Sequence, residues 1–520
     1  MKNNMAVKKS IKTGTKQKKA PARTAPEKPA ANNSGDKFES TAPLEFRDNF
    51  KVVSTSVKKI EGPGLVTGKP MFTDDIDIHG MLYAKILTSP HAHAEILNID
   101  TSRAEKLPGV RAVLTHKDLA RIVHTTAGQG YPEPSPYDSF TLDKKVRFVG
   151  DRVAAVAADT LETAEEALEL IEVEYKVLEP VLDPLQSQKK GAPVIHDEEE
   201  AKMIIPLAYD KNKNLAAHAD MSEGDVEAAL KNSHRVFENV YESHYAQHCP
   251  MEPHVCVTHL DANNRLNIIT STQVPFHTRR IVAQALGIPV KRVRVIKPRI
   301  GGGFGGKQEM LIEDICAALT LKTKKPVRLE YTRKEEFMSA RTRHPQHIVL
   351  RTGVDKNGIM TAIDMNIVMN TGAYGSAALT VLCNSASKVL PLFNKVKDIR
   401  FYGDSVYTNL PVGGAYRGYG ATQAYQAIGQ QVDIMCRELG LDIIEFYKKH
   451  HIKEGEGSPV FQKMGEGKEG VEMKIGSCGL EKCIDIGVKE FRWYDKFNKK
   501  RSEGDWRYGA GMVCLMQGSS

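Results

Sequence analysis

Five glycines within six residues constrain this chain more than any other feature of its sequence. Residues 301–306 read Gly-Gly-Gly-Phe-Gly-Gly and are followed by Lys307. The residues before them, 294–296, predict a strand, and residues 310–321 predict a helix with its apolar side chains on one face. Because glycine has no side chain, the backbone N–H groups of such a loop can approach a ligand closely. We therefore expect a loop that binds a ligand through its main chain.

Three interpretations of this loop are open from its glycine spacing. Gly301, Gly303 and Gly306 satisfy the GxGxxG pattern of dinucleotide folds, with Glu330 at a suitable distance, but the preceding segments lack regular βαβ alternation. The GxxxxGK pattern of a phosphate-binding P-loop also fits, although Gln308 stands where Ser or Thr must hold magnesium. A turn without any ligand is disfavoured, because five glycines lose much backbone entropy on folding.

Composition indicates an ordinary globular protein of about three domains, at roughly 150 residues per domain. The chain of 520 residues is 41% hydrophobic and 26% charged, and it contains no apolar run of the roughly 18 residues that a membrane span requires. Its eight cysteines form no CxxC pair, which favours a reducing, cytoplasmic location. Cys478 and Cys483 have the spacing that opens one ferredoxin pattern, but the CxxC that should follow is missing, so we expect no iron–sulfur cluster on this chain.

Most of the net positive charge lies at the N-terminus. Residues 1–40 hold ten Lys or Arg and three acidic residues, which accounts for seven of the eight net charges. Such a tail can bind nucleic acid, but its Lys, Ala, Pro and Thr composition favours a disordered, solvated leader over residues 1–50. No apolar segment of a secretory signal follows the charges. We expect neither a nucleic-acid nor a membrane partner.

The hydrophobic patterns predict an α+β fold made of successive modules. In the first module they indicate strands at 81–87, 110–114 and 153–158, then a helix from a cap at Asp159 or Thr160 to Ile171. A polar linker over 186–202 separates it from a second module, which contains hairpin turns at 261–264 and 356–358. Residues 454–468 are expected to form a loop, and residues 508–520 a strand. The predicted segments are a leader at 1–50 and modules at 55–185, 204–454 and 469–520, the last incomplete.

Five ordered motifs together resemble the xanthine dehydrogenase and aldehyde oxidase family of molybdenum hydroxylases. They lie at residues 67–75 with 89–94, at 271–276, at 282–289, at 300–307 and at 408–420. The resemblance covers roughly residues 55–520. It implies a small α/β hammerhead domain at 55–185, a mixed α+β first molybdopterin-binding domain at 204–454, and the start of a second one at 469–520.

The resemblance also implies roles for particular residues. Gln273 is expected to donate to an oxo group of the molybdenum, and the backbone amides of Phe304 and Arg417 to approach the metal's oxygen ligands, all three without coordinating it. Gly303, Gly305 and Ala415 complete the expected cofactor contacts.

Two residues are assigned to the substrate. Gln308 stands where xanthine-oxidising members often have Glu, and Tyr419 matches an aromatic residue that stacks on planar substrates, with a plain core tyrosine as the alternative. Gly418 stands where carbon monoxide dehydrogenases have a copper-binding Cys, which argues against that activity.

The implied reaction is hydroxylation of a purine, another N-heterocycle or an aldehyde with oxygen derived from water. Electrons would leave through partner subunits that carry iron–sulfur clusters and FAD, and a second molybdopterin subunit is a further expected partner. The cofactor is molybdenum–molybdopterin, with the cytosine dinucleotide form as one alternative. The family's catalytic Glu is expected beyond residue 520, so no general base is assigned and the chain alone is expected to be inactive. The competing hypothesis is a non-catalytic cofactor-handling or assembly protein that retained the fold.

One cluster suggests a metal site by composition alone. His244, His248, Glu252 and His254 lie within eleven residues. Two prolines interrupt the segment and the HExxH pattern of zinc enzymes is absent. We therefore expect hydrogen-bonding support for the site rather than zinc.

Overall fold

The computed structural model describes residues 51–52, 55–127, 130–132, 134–464, 472–497, 499 and 501–517. The chain divides into two compact units, Met1–Lys69 and Pro70–Ser520. In the first unit the described residues include one short helix, α1 (Gly62–Val66), which begins with a proline in its first turn. The predicted leader at 1–50 lies outside the described residues.

The second unit contains the strands. They are β1 (Leu82–Thr88), β2 (Ala94–Asp100), β3 (Val110–Leu114), β4 (Lys145–Val146), β5 (Arg152–Ala158), β6 (Glu172–Val177), β7 (Leu215–Glu223), β8 (Arg235–Glu242), β9 (Val255–Leu260), β10 (Leu266–Thr270), β11 (Val293–Ile296), β12 (Val327–Glu330), β13 (Gln346–Val354), β14 (Met360–Gly372), β15 (Asp398–Tyr407), β16 (Arg501–Glu503) and β17 (Trp506–Tyr508).

The helices of the second unit lie between and after these strands. They are α2 (Ser102–Lys106), α3 (Leu161–Glu169), α4 (Pro184–Ser187), α5 (Val226–Asn232), α6 (Pro275–Ala285), α7 (Glu313–Thr323), α8 (Arg333–Ser339), α9 (Ala378–Ser387), α10 (Ala421–Leu439), α11 (Ile443–His450), α12 (Pro459–Lys463), α13 (Leu480–Phe491) and α14 (Trp493–Lys496). Short 3-10 turns lie at Thr73–Asp75, Lys211–Lys213, Val290–Arg292 and Leu390–Phe393. Among the described residues, none of these helices is long and apolar enough to cross a bilayer.

A mixed seven-stranded sheet joins the first two predicted modules. Its order is β11-β10-β9-β12-β1-β5-β3, and β1 pairs with β12 in parallel. Helices α6 and α7 cover it, and their apolar side chains form one core with it, including Ile281, Ile315 and Leu319. The three strands from residues 82–158 and the four from residues 255–330 are therefore hydrogen-bonded into one sheet. Hydrophobic periodicity carries no information about such pairing.

A second mixed sheet, with the order β7-β15-β14-β13-β8, forms the other large core. Helices α9, α10 and α11 pack on it through buried side chains such as Val381, Ile428 and Phe446. Two smaller antiparallel sheets, β4-β2-β6 and β16-β17, complete the strands. The α+β class is confirmed.

The local predictions hold where periodicity and turn signals agree. Strand β3 coincides with the predicted residues 110–114, and Thr160 caps α3 by accepting a hydrogen bond from the Thr163 backbone. The two predicted turns join β9 to β10 and β13 to β14, and both pairs are antiparallel.

Three local predictions differ from the structure. The helix expected at 310–321 begins at Glu313, because the Glu313 side chain accepts hydrogen bonds from the backbone of Leu311 and Ile312. The loop expected at 454–468 contains α12, which Ser458 caps, while residues 465–468 lie outside the described residues. A strand was expected at 508–520, but residues 509–517 form no strand. The Met516 amide donates instead to the Tyr425 hydroxyl, and alternate residues of the segment pack on the core of the five-stranded sheet.

A buried arginine ties the predicted linker to the body of the second unit. The Arg147 guanidinium is 1% exposed and contacts Glu198 at 2.8 Å and Asp143 at 3.0 Å. It donates to the carbonyls of Lys145 and Ile195 as well. Burial alone would raise the pKa of Glu198, but His196 and Arg147 hold that pKa well below its ordinary value. The Glu198 carboxylate thus remains charged inside the protein.

Replacing Arg147 with alanine is therefore expected to lower the free energy of unfolding by about 3–5 kcal/mol, because two buried carboxylates lose a buried cationic partner. Denaturant titration of the full chain measures this change. Arg103→Ala is the matched control, since its partner Glu172 is 68% exposed and an exposed pair contributes less than about 1 kcal/mol. Similar losses for both variants would contradict a stabilising role for the buried network.

Candidate cofactor site

The glycine loop, residues Gly301–Gly306, follows β11, and one carboxylate binds a residue at each of its ends. Glu252 Oε2 accepts hydrogen bonds from the Gly301 amide at 2.8 Å and from the Lys307 ammonium at 2.8 Å. The Lys307 side chain is fully buried, and burial lowers its pKa despite the neighbouring Glu252. The two ends of the loop are thereby fixed to one side chain.

Gln273 holds the middle of the glycine loop from a turn between β10 and α6. Its backbone amide donates to the Lys307 carbonyl at 2.7 Å, and its Oε1 accepts from the Gly305 amide at 3.0 Å. A Cβ at Gly303 would stand 2.5 Å from Gln273 Oε1, so any larger residue there would displace the Gln273 side chain. The Gln273 Nε2 group makes no hydrogen bond with the described residues, and it remains a donor for another group.

The arginine loop, residues Gly413–Gly420, meets the glycine loop directly. The Arg417 amide donates to the Phe304 carbonyl at 2.9 Å. Gly305 has φ +104°, and a Cβ on it would stand 2.5 Å from the Ala415 carbonyl oxygen. The two bends that lie more than 100 residues apart in sequence are therefore in backbone contact.

This contact uses the Arg417 amide differently from the sequence expectation. The resemblance assigns that amide to the metal's oxygen ligands, whereas in the structure it joins the two loops. Phe304 adopts a left-handed conformation with φ +53°, and its amide donates to no acceptor in the described part of the chain. Of the two amides that the sequence analysis assigns, only that of Phe304 is left available.

Two histidines lie beneath the loops. His248 Nε2 is 2.7 Å from the Ala415 carbonyl, and its ring would contact a Cβ at Gly306 at 3.0 Å. His254 lies 2.9 Å from a Glu336 oxygen and 3.2 Å from the Gly306 carbonyl. Burial lowers the pKa of His248, although its carbonyl partners oppose the shift. These side chains support the loops from the protein interior.

A buried carboxylate on the other side supports the arginine loop. Glu309 pairs with Arg341 at 2.5 Å and accepts hydrogen bonds from Thr126 and Ser376. Burial would raise the pKa of Glu309, but the Arg341 charge outweighs it and lowers the pKa. A Cβ at Gly414 would stand 2.7 Å from Glu309 Oε1. The ion pair thus sets the backbone position at Gly414.

A cavity of about 260 Å³ opens between the loops and α9. Gln308, Ala415 and Tyr419 line it, together with Thr380. The Tyr419 hydroxyl is 2.7 Å from the Thr380 hydroxyl, and the ring also packs against the core of the five-stranded sheet. Tyr419 therefore lines the cavity and also packs against a core, while its stacking on a planar substrate stays a prediction.

The geometry disagrees with both nucleotide interpretations of the loop. Lys307 is committed to Glu252, so it cannot reach a phosphate as a P-loop lysine does. Helix α7 begins seven residues after Gly306, and the next strand, β12, is separated from β11 by two strands. A dinucleotide fold requires the glycines at the helix N-terminus of a βαβ unit.

The histidine-rich segment is occupied by hydrogen bonds. His248, Glu252 and His254 each bind a different backbone group of the loops or of the residues beside them. No group of three or more metal-ligating side chains is arranged for an ion within the described ranges. The contacts are those of a supporting role.

The donors of the site fit a group rich in acceptor oxygens. Gly302, Gly303 and Phe304 are consecutive, and none of their amides donates to an acceptor among the described residues. Gly303 is buried, and a buried amide without an acceptor costs free energy. Together with Gln273 Nε2, these amides suit an oxo or phosphate-bearing group that approaches the backbone.

Sequence comparisons agree with this geometry. Residues 208–450 match the molybdopterin cofactor-binding domain, and residues 67–179 match the aldehyde oxidase and xanthine dehydrogenase a/b hammerhead domain. The chain thus contains the domain that binds a molybdopterin cofactor.

Named relatives extend the likeness. A probable hypoxanthine oxidase of Escherichia coli K12 is 38% identical, over 91% of this chain and 52% of that protein. The nicotinate dehydrogenase large molybdopterin subunit of Eubacterium barkeri is 32% identical, over 76% of this chain and 88% of the subunit. Reconstituted CO dehydrogenase from Oligotropha carboxidovorans has a TM-score of 0.74 at 25% identity, over 85% of this chain and 54% of that one.

The chain belongs to the aldehyde oxidase and xanthine dehydrogenase family of molybdopterin-binding oxidoreductase subunits, which confirms the family suggested by its motifs. The cofactor of this family is molybdenum–molybdopterin. The chain spans about half the length of the first curated relatives that it matches, 52% for the Escherichia coli protein.

Sequence analysis found the loops but missed much of what holds them. Gln273, Gly303, Phe304, Gly305, Ala415 and Arg417 lie together, with Gln308 and Tyr419 in the adjoining cavity. The Glu309–Arg341 pair was missed, since no local pattern distinguishes a buried charge from a solvated one. The roles of His248 and Glu252 were foreseen only as general support.

Gly305→Ala is expected to destabilise the full chain by about 1–3 kcal/mol, because a side chain with positive φ is strained and its Cβ would meet the Ala415 carbonyl. Urea unfolding measures the change. Gly487 in α13 has no atom within 4 Å of its Cβ position, so Gly487→Ala should instead stabilise by about 0.5–1 kcal/mol. A neutral Gly305→Ala would show that the loops can separate without cost.

Proposed function

We propose that this chain is the molybdopterin-holding part of a cytoplasmic molybdenum hydroxylase that oxidises a purine, another N-heterocycle or an aldehyde. The observation that carries the proposal is the contact of the glycine and arginine loops beside Gln273, with a cavity of about 260 Å³ next to them. A planar heterocycle fits such a cavity. The names of the hypoxanthine oxidase and nicotinate dehydrogenase relatives support the same class of substrate.

The residues of this chain position the cofactor and the substrate. When bound, a molybdenum–pterin group supplies the two-electron oxidation, and the oxygen that is inserted comes from water. Gln273 Nε2 and the Phe304 amide would donate hydrogen bonds to the cofactor's oxygens. The Gly303 position keeps side chains away so that these donors can reach it.

In the cavity, the Gln308 amide can donate to a ring nitrogen or carbonyl and can accept from a ring N–H. Tyr419 offers the face of its ring to a planar substrate. We assign no general base within residues 1–520. Iron–sulfur and FAD subunits are the proposed electron acceptors, and a second molybdopterin subunit is a further proposed partner. The large-subunit name of the Eubacterium barkeri relative supports an assembly of several chains.

Metal content decides between this enzyme and a non-catalytic cofactor-handling protein. The full chain, tagged and purified from its own organism, is expected to carry about one molybdenum per chain, together with pterin and with iron–sulfur and flavin subunits. Mass spectrometry of the metals and subunits measures this. Metal-free protein without these partners would overturn the proposal and favour the cofactor-handling alternative.

Gln308→Ala is expected to reduce turnover of N-heterocycles by about tenfold or more while molybdenum content stays at the wild-type level, because one polar contact to the substrate is lost. Gln308→Glu tests whether a carboxylate shifts the preference among heterocycles. Gln426 lies exposed on α10, and Gln426→Ala is the control for loss of a glutamine elsewhere. Equal loss of metal and turnover in Gln308→Ala would show that the residue does not face the substrate.

A further inference from the structure

His248 contacts both of the loops that form the site. Its Nε2 lies 2.7 Å from the Ala415 carbonyl in the arginine loop, and its ring lies 3.0 Å from where a Cβ of Gly306 would stand. Glu252 and His254, from the same segment, each make a hydrogen bond to the glycine loop. Within residues 247–254, the described contacts thus make His248 the side chain shared by the two loops.

Every hydrogen-bonding group around the His248 ring is an acceptor. Besides the Ala415 carbonyl, the Arg341 carbonyl lies 3.1 Å from Nδ1 and Gln247 Oε1 lies 3.3 Å from it. His450 is a contrasting buried histidine: its Nε2 accepts from the Met360 amide and its Nδ1 lies by the Phe446 carbonyl. A neutral imidazole carries one N–H, and we assign it to Nε2, because the contact of Nε2 with the Ala415 carbonyl is the shortest of the three at 2.7 Å.

This hydrogen bond also orients a peptide unit that borders the cavity. Ala415 lines the cavity, and its carbonyl oxygen stands between His248 and the Cα of Gly305. Because a trans peptide is planar, fixing this oxygen fixes the amide of the next residue, Tyr416, on the opposite side. The Tyr416 amide donates to no acceptor among the described residues.

Neighbouring side chains hold the ring of His248 itself in place. The Tyr416 ring is tilted against it with centroids 4.2 Å apart. The Arg343 guanidinium lies 3.9 Å from the centroid of the same Tyr416 ring and donates to the Arg417 carbonyl at 2.7 Å. Side chains therefore hydrogen-bond to two alternate carbonyls of the arginine loop, those of Ala415 and Arg417.

We propose that His248 is a positioning residue that sets the separation of the glycine and arginine loops by donating from Nε2 to the Ala415 carbonyl. His248 does not line the cavity. Its effect passes through Ala415 to the peptide unit that faces the site. The inference rests on the proposed function, because the separation of the loops matters for activity only if they hold a cofactor.

Hydrogen–deuterium exchange on the full chain tests this without any cofactor. His248→Phe keeps a ring against Gly306 but removes the donor, and His450→Phe is the matched control in another buried site. Amides of residues 301–308 and 413–420, above all that of Arg417, are expected to exchange about tenfold faster in His248→Phe. In His450→Phe they should exchange at the wild-type rate, even if its melting temperature falls as far.

Two further variants keep the test decisive if His248→Phe does not fold. His248→Gln retains a side-chain N–H donor and is expected to restore slow exchange in both loops, whereas His248→Leu should behave like the phenylalanine variant. Wild-type exchange in His248→Phe or His248→Leu would overturn the inference. Equally fast exchange in His248→Gln would overturn it too, since the donor would then be unimportant.

Molybdenum content separates this inference from the proposed function. In chain purified from its own organism, His248→Phe is expected to lose at least about four-fifths of the molybdenum that wild type carries, and His450→Phe to keep it. A wild-type chain without molybdenum would contradict the proposed function and leave the exchange result standing. Loaded wild type with equally loaded His248→Phe would contradict a positioning role.

Discussion

The structure of the site depends on one close approach between two backbones. The Cα of Gly305 lies against the Ala415 carbonyl, where a Cβ would stand 2.5 Å from the oxygen, and the neighbouring Arg417 amide donates to the Phe304 carbonyl. Any side chain at position 305 would push the loops apart. The free amides, the donor of Gln273 and the cavity beside Tyr419 all lie next to this contact. The geometry of the site therefore depends on the absence of a side chain at Gly305.

Buried ionic groups keep the two backbones at that distance. Glu252 with Lys307, and Glu309 with Arg341, contact the two loops and are almost wholly removed from water. A buried ion pair adds little net stability, because desolvation of the charges offsets their attraction. It does, however, disfavour every arrangement in which a partner moves away. Such pairs therefore contribute fixed geometry, which a cofactor with several oxygens needs more than it needs additional stability.

Local structure followed the sequence where one segment's own residues decide it. The strand at Val110–Leu114 and the two hairpin turns are set by alternation and by turn residues. The start of α7 was misplaced, because the Glu313 side chain binds the backbone of the two residues before it. The C-terminal strand was wrong over residues 509–517, since alternate residues of this segment pack on a core built from segments far away in sequence.

The sequence by itself determined the family, the α+β class, and the identity of both loops, because glycine runs and ordered motifs are written in consecutive residues. Only the tertiary structure decided that β1 pairs with β12, that the Arg417 amide joins the loops instead of standing free, and that His248 reaches Ala415. These are contacts between residues more than 100 positions apart. Their formation depends on packing and desolvation of the whole fold, which no local pattern of residues encodes.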